Sequence, residues 1–255
     1  MCVYLRACTW TRRSTAAGCL RTKPGLAGGA VGTVLDVAAE LGLGVHVGLA
    51  MTAAPLFTAH GRAMNTTTLA QYTALCTGIG RAVWAAYGTK HTATIQGWYS
   101  MLEFWNDSMW STAASTWGAQ FLQPLATALK TALLPAGSGA HTTVFASPYF
   151  VGNRTRRPAS HGDLGPARDA AVWESVFTQW APALDLVAPQ DSMGAQGNSF
   201  ENVSAYLGQI SNASRRAGKA VWSNTELFEV YPPTCEWPST CHGRHPAPFS
   251  RIVKH

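Results

Sequence analysis

Residues 67–98, TTLAQYTALCTGIGRAVWAAYGTKHTATIQGW, decide the reading of the fold. Leu69, Tyr72, Leu75, Cys76, Ile79 and Val83 recur at helical spacing, so Thr67 to Tyr87 is expected to be a helix with one apolar face, stopped at Gly88. The β-rich run Thr92 to Trp98 follows at once and reads as a buried strand. A helix that feeds directly into an apolar strand is half of a βαβ unit, because parallel strands need such a crossover to pair.

The alternation continues on both sides. Upstream, Val34 to Leu41 carries apolar residues at helical spacing, Gly42 and Gly44 interrupt it, and Val45 to Ala50 reads as a strand. Downstream, Pro124 opens a helix with Leu125, Ala128, Leu129, Ala132 and Leu133 on one face, ahead of a strand over Thr142 to Ser147. Asp169 to Trp180 and Ser199 to Ala217 are further helices, the second with Asn198 and Glu201 spaced as a capping pair. Strands are expected after them at Asp185 to Ala188 and Lys219 to Trp222.

Five strands alternating with helices predict an α/β fold, a (β/α)8 TIM barrel-like chain in an incomplete copy. Residues 1–33 are too short and too rich in Gly, Arg and Thr for two ordinary βα units and remain unassigned; the barrel domain is expected over 34–255. After Trp222 only a Pro-rich loop and Phe249 to Lys254 remain. No Gly-rich phosphate loop follows a strand, which argues against a nucleotide-binding doubly wound sheet.

Composition sets broader bounds. With 255 residues, 47% of them hydrophobic and 13% charged, the chain can bury a large core and is not of disordered composition. The formal charge of +6 sits in small clusters such as Arg12-Arg13 and Arg215-Arg216, with no nucleic-acid motif beside them, so no nucleic-acid partner is expected. No stretch is long and apolar enough to span a bilayer. Cys235 and Cys241 bracket the loop-like CEWPSTC and are expected to form a disulfide; zinc held with His242 and His245 is the rival reading, at an unfamiliar spacing. Cys76 lies on the apolar helix face, where an inert buried thiol is expected. Sequons at Asn65, Asn106, Asn153, Asn202 and Asn212 take up most of the asparagines. With the disulfide they predict a secreted glycoprotein or another product of the secretory pathway, although residues 1–20 contain no signal-peptide h-region.

In parallel α/β folds ligands bind where the strands end, so the residues just past each strand belong together. Here they are GWYSMLEFW (97–105), SPYF (147–150), APQDSMG (188–194) and WSNTELF (222–228). Sugars present hydroxyls and apolar C–H faces, and these blocks supply both kinds of partner: Gln190, Asp191 and Asn224 for hydrogen bonds, Trp98, Tyr99, Tyr149 and Trp222 as platforms. Glycosidic cleavage also needs two carboxyl groups flanking the bond, and Glu103 and Glu226 fit by position. Each has a plainer reading. Glu103 can be a solvated loop carboxylate, Glu226 a helix-start residue, Asp191 a turn cap before Gly194, and the aromatics core.

The blocks GWYSMLEF, SPYF, DLVAPQDSMG and AVWSNTELF, in this order, resemble the family known as domain of unknown function 4434, a TIM-barrel group among glycoside hydrolase-like enzymes. The resemblance covers roughly residues 34–255. It implies that the five strands are barrel strands three to seven. Glu103 then follows strand four as acid/base and Glu226 follows strand seven as nucleophile, with Asp191, Gln190 and Asn224 binding substrate. The chemistry so implied is retaining hydrolysis of an unidentified carbohydrate, without metal or organic cofactor; the alternative is an inactive carbohydrate-binding or scaffold relative with an incomplete barrel. Oligomeric state is not legible.

Overall fold

The computed structural model describes residues 4–10, 29–52, 65–100, 104, 118–131, 143–150, 152, 166–196, 198–230 and 244–247. Along them strands and helices alternate: β1 (Tyr4–Trp10), α1 (Gly29–Glu40), β2 (Val45–Thr52), α2 (Thr66–Val83), β3 (Ile95–Ser100), α3 (Gln123–Thr131), β4 (Thr143–Ala146), α4 (Pro166–Trp180) and β5 (Leu186–Val187). Then come α5 (Met193–Gln196), α6 (Phe200–Arg216), β6 (Ala220–Val221), β7 (Phe228–Val230) and β8 (Arg244–Pro246). β1 to β6 form one sheet in sequence order, and the pairs β1/β2, β2/β3 and β3/β4 are parallel.

Two features go beyond the sequence reading. Within the stretch that the sequence leaves unassigned, Tyr4–Trp10 is a strand in register with β2, from Tyr4 opposite His46 to Trp10 opposite Thr52. Among the described residues the sheet therefore has six strands, the expected five and one before them. In the segment expected to be loop, β7 and β8 form an antiparallel ladder pairing Phe228 with Pro246 and Val230 with Arg244.

The chain divides into two compact units, Met1–Leu102 with Ser111–Ala146 and Gln179–Leu186, and Glu103–Trp110 with Ser147–Thr178 and Val187–His255. In the first, the apolar stripe of α2 is buried as its spacing requires: Leu69, Tyr72, Leu75, Cys76, Ile79 and Val83 are all in the core. Asn65 caps this helix, its Oδ1 accepting from the amide of Thr68 at 3.0 Å. The Tyr72 hydroxyl donates to the carbonyl of Ala50 on β2. Burial pushes the Cys76 thiol up to about 12, which makes it inert. Two π turns, Trp84–Gly88 and Gly118–Leu122, flank this core, the first ending α2 and the second leading into α3.

Strand pairing in this unit brings three side-chain positions into close approach. His46 Nε2 lies 2.6 Å from Thr143 Oγ1, and the His46 ring meets Phe145 edge-on, with centroids 5.2 Å apart. A Cβ at Gly97 would fall onto both Thr143 and His46, so only glycine lets β2 and β4 side chains meet across β3. The same burial holds His46 neutral, lowering its pKa to about 4. At the start of β5, Asp185 accepts from the Val144 amide at 2.7 Å and pairs with Lys130 of α3 at 2.6 Å.

The second unit is built on aromatic pairs. Trp173 stacks on Phe177 and tilts against Phe104, while its indole N–H donates to Asp169 at 3.0 Å. Phe150 stacks on Tyr206 of α6 with centroids 4.9 Å apart. The cap of α6 is Ser199, accepting from the amide of Asn202, and not the expected Asn198, which is buried and engaged elsewhere. Gly218, at φ +71, closes the same helix in the left-handed conformation, and its amide reaches the carbonyl of Arg215.

Candidate functional site

The segments past β4, β5 and β6 run side by side in the second unit. The Gln190 amide donates to Pro148 at 2.8 Å; the Trp222 and Asn224 amides donate to Val187 and Pro189, and the Asp191 amide to Asn224, each at 3.0 Å. The parallel bridge Gln190↔Asn224 thus extends strand pairing three residues beyond the ends of β5 and β6. A further bond, from the Tyr149 amide to the carbonyl of Phe104 at 3.0 Å, brings in the segment just after Glu103.

Ser147 is the hub of this arrangement. Its hydroxyl donates to Ala188 at 2.7 Å and accepts from Asn224 Nδ2 at 2.9 Å, and its carbonyl accepts from Gln190 Nε2 at 3.1 Å. Gln190 and Asn224, paired in the bridge, present their side chains on one face and both reach Ser147.

Asp191 has no exposed surface. Its Oδ1 accepts from the amide of Met193 at 3.1 Å and its Oδ2 from the amide of Glu226 at 3.1 Å. The first bond is the expected turn role; the second joins two loops. A buried carboxylate is tolerable only when so bonded. Beside it, Ser192 holds φ +54 and its buried Oγ has no partner among the described residues.

Asn198 completes the frame. Its Nδ2 donates to Phe150 at 3.2 Å and to Asp191 at 3.4 Å, and its Oδ1 accepts from the Gly152 amide at 3.0 Å. Neither Ser147 nor Asn198 stands out as a site residue in the sequence, where each reads as one more small polar loop residue. Their signal is only that they lie within the strand-end blocks or beside them.

Among the candidates read from sequence, Tyr149, Gln190, Asp191, Trp222, Asn224 and Glu226 all lie in this unit. Glu226 is buried, at 7% exposure, while Trp222 is 40% exposed. Trp98 and Tyr99 belong to β3 in the other unit. Trp98 is fully buried in register with Val47 and Val144, and Tyr99 stacks on Phe145 at 4.5 Å, positions of core packing. Glu103, Cys235, Cys241 and His242 lie outside the described residues, as does the side chain of His245. Among the described residues no group of His, Cys, Asp and Glu is arranged to hold a metal ion, and no helix is long and apolar enough to cross a membrane.

A parallel βα chain with polar side chains gathered past its strand ends defines an α/β protein of the TIM-barrel-like class. The chain belongs to the family described as Domain of unknown function (DUF4434), whose model matches residues 25–255. It is similar in fold to a crystal structure from Bacteroides thetaiotaomicron VPI-5482 described as a putative alpha-L-fucosidase. The TM-score is 0.64 at 17% identity, over 99% of this chain and 68% of the other. The likeness is one of fold. No curated protein matches the sequence.

Proposed function

We propose that the protein hydrolyses a glycosidic bond, with Glu226 as nucleophile and Glu103 as acid/base. The observation that supports this best is the setting of Glu226. It is a buried carboxylate whose amide is held by Asp191, in the same unit as the bridged pair Gln190 and Asn224 and the exposed residue Trp222. Both sugar-binding chemistries and one reactive group occur there together.

In the proposed cycle the Glu226 carboxylate bonds to the anomeric carbon as the bond to the leaving oxygen breaks, and Glu103 gives that oxygen its proton. Water then attacks the glycosyl ester, giving its proton to Glu103 and freeing Glu226. Retention requires carboxyl oxygens about 5 to 5.5 Å apart; about 6.5 to 9.5 Å would instead leave room for water and imply inversion. Trp222 offers a platform for the C–H face of a sugar, and Asn224, whose Nδ2 is committed to Ser147, offers its Oδ1 to a hydroxyl.

The five sequons support a second element of this reading, passage through the secretory pathway. The catalytic reading is tested with a panel of activated aryl glycosides and their 2-fluoro analogues. Glu226→Gln is expected to abolish turnover and covalent labelling. Glu103→Gln should slow poor leaving groups far more than activated ones. Undiminished turnover by Glu226→Gln on a glycoside that the wild type cleaves would overturn the assignment, and binding of sugars without cleavage would favour an inactive relative.

A further inference from the structure

Three of the five sequon asparagines fall among the described residues, and the fold treats them differently. N-glycosylation forms a bond between the side-chain Nδ2 and the anomeric carbon of a lipid-linked oligosaccharide. The donor's pyrophosphate leaves, and Nδ2 loses one proton. A folded protein accommodates this only where Nδ2 faces solvent and has no essential second duty.

We propose that Asn65 and Asn212 are the glycan acceptors of the described part of the chain and that Asn202 stays bare; this rests on the secretory reading above and not on the catalytic one. Asn65, Thr66 and Thr67 are all exposed. Asn65 caps α2 through Oδ1, and its Nδ2 has no partner among the described residues. A sugar on Nδ2 leaves the Oδ1 lone pairs untouched, so cap and glycan are compatible.

Asn212 is also exposed, and its one side-chain hydrogen bond among the described residues uses Oδ1, which accepts from Arg215 at 3.5 Å. The third residue of its sequon, Ser214, is fully buried and donates to Ile210 at 2.9 Å. The folded helix therefore hides the hydroxyl that a transferase must read, and transfer at Asn212 must precede folding. At Asn65 no such order is imposed.

Asn202 differs on both counts. It is half-buried, its Nδ2 donates to the carbonyl of Gly152 at 3.3 Å, and its Cβ stands 3.3 Å from where a Cβ on Gly152 would be. A sugar there would have to displace the segment that Asn198 also holds through the Gly152 amide.

The test is site-resolved mass spectrometry of the full chain, expressed with an added secretion leader in eukaryotic cells, with secreted and retained pools both digested and deglycosylated in heavy-oxygen water. In the secreted pool Asn65 and Asn212 are expected to be labelled on most copies and Asn202 on few, because a copy that gains a glycan at Asn202 before folding cannot seat Gly152 and is retained. Refolded, unglycosylated protein presented to an oligosaccharyltransferase should accept at Asn65 and not at Asn212. Asn65→Asp, which keeps the cap, should remove one glycan, and the refolded, unglycosylated variant should melt no lower than refolded, unglycosylated wild type. In the secreted pool, occupancy of Asn202 equal to that of the other two, or bare Asn65 and Asn212, would overturn the proposal. Either result leaves the Glu226→Gln experiment to decide the catalytic reading by itself.

Discussion

The amide of Glu226 donates to the carboxylate of Asp191 at 3.1 Å, joining residues 35 positions apart in the chain. Asp191 also accepts from Met193, so one side chain satisfies two backbone donors in a place without solvent. Asp191→Ala would leave both unsatisfied. A hydrogen bond to a charged acceptor contributes roughly 1.5–3 kcal/mol, so the expected loss for two is about 3–6 kcal/mol in a urea titration. Asp191→Asn keeps one acceptor oxygen and should lose about half as much. Equal losses in the two variants would show that the carboxylate does not hold both amides.

Asn198 tests the frame by sign. Its Nδ2 serves two carbonyl oxygens, those of Phe150 and Asp191. Asn198→Ala removes these bonds and should cost about 2–3 kcal/mol. Asn198→Asp instead sets a buried carboxylate against two carbonyls and should cost more than alanine does. An aspartate variant as stable as wild type in chemical denaturation would show that Nδ2 does not hold these two carbonyls.

The pH dependence of stability should carry the mark of His46. Burial lowers its pKa from 6.5 to about 4, so between these values the unfolded chain binds a proton that the native state refuses. The contribution is complete above pH 6.5, is lost as pH falls towards about 4, and changes no further below that. His46→Gln removes it. Denaturation midpoints across this window should fall less steeply for the variant than for the wild type; parallel curves would refute a neutral buried His46.

Ser192 combines a left-handed backbone with a buried hydroxyl lacking a partner among the described residues. Ser192→Gly relieves the backbone and removes the hydroxyl, and should stabilise by about 1 kcal/mol. Ser192→Ala removes the hydroxyl alone, so the difference between the two variants' melting curves isolates the backbone contribution. A glycine variant no more stable than alanine would mean that φ +54 carries no strain at this position.

Much of this was legible in the sequence, for a physical reason. α2 and the strands around it bury complete apolar faces, and such faces leave a period in the residue pattern. β1 escaped because Tyr4–Trp10 mixes Arg6 and Thr9 into a strand whose neighbours in sequence are rich in Gly, Arg and Thr. β7 and β8 escaped because three-residue strands show no period, and Pro246 weakens any strand reading. The rule that ligands gather past strand ends singled out Gln190, Asp191, Asn224 and Glu226, which the structure places in one unit. It could not find the duties of Ser147 and Asn198, since both act on backbone groups far away in sequence. Asn198 even carried a local signal that pointed elsewhere, its spacing to Glu201.

The π turns at Trp84–Gly88 and Gly118–Leu122 matter for how this chain is compared with its relatives. A π turn takes about one residue more than an α turn, and one residue is about 100° of helix rotation. Tyr87 sits on the first of them with its ring against α1, where a Cβ at Gly32 would be 3.0 Å away. A relative whose α2 ran on as plain α-helix would need one residue fewer to reach β3 with the same face inward. Insertions and deletions between family members should therefore be sought inside residues 84–88 and 118–122 as well as in loops. A gap-free alignment across either turn would set each following residue of that helix one place out of phase with its structural counterpart.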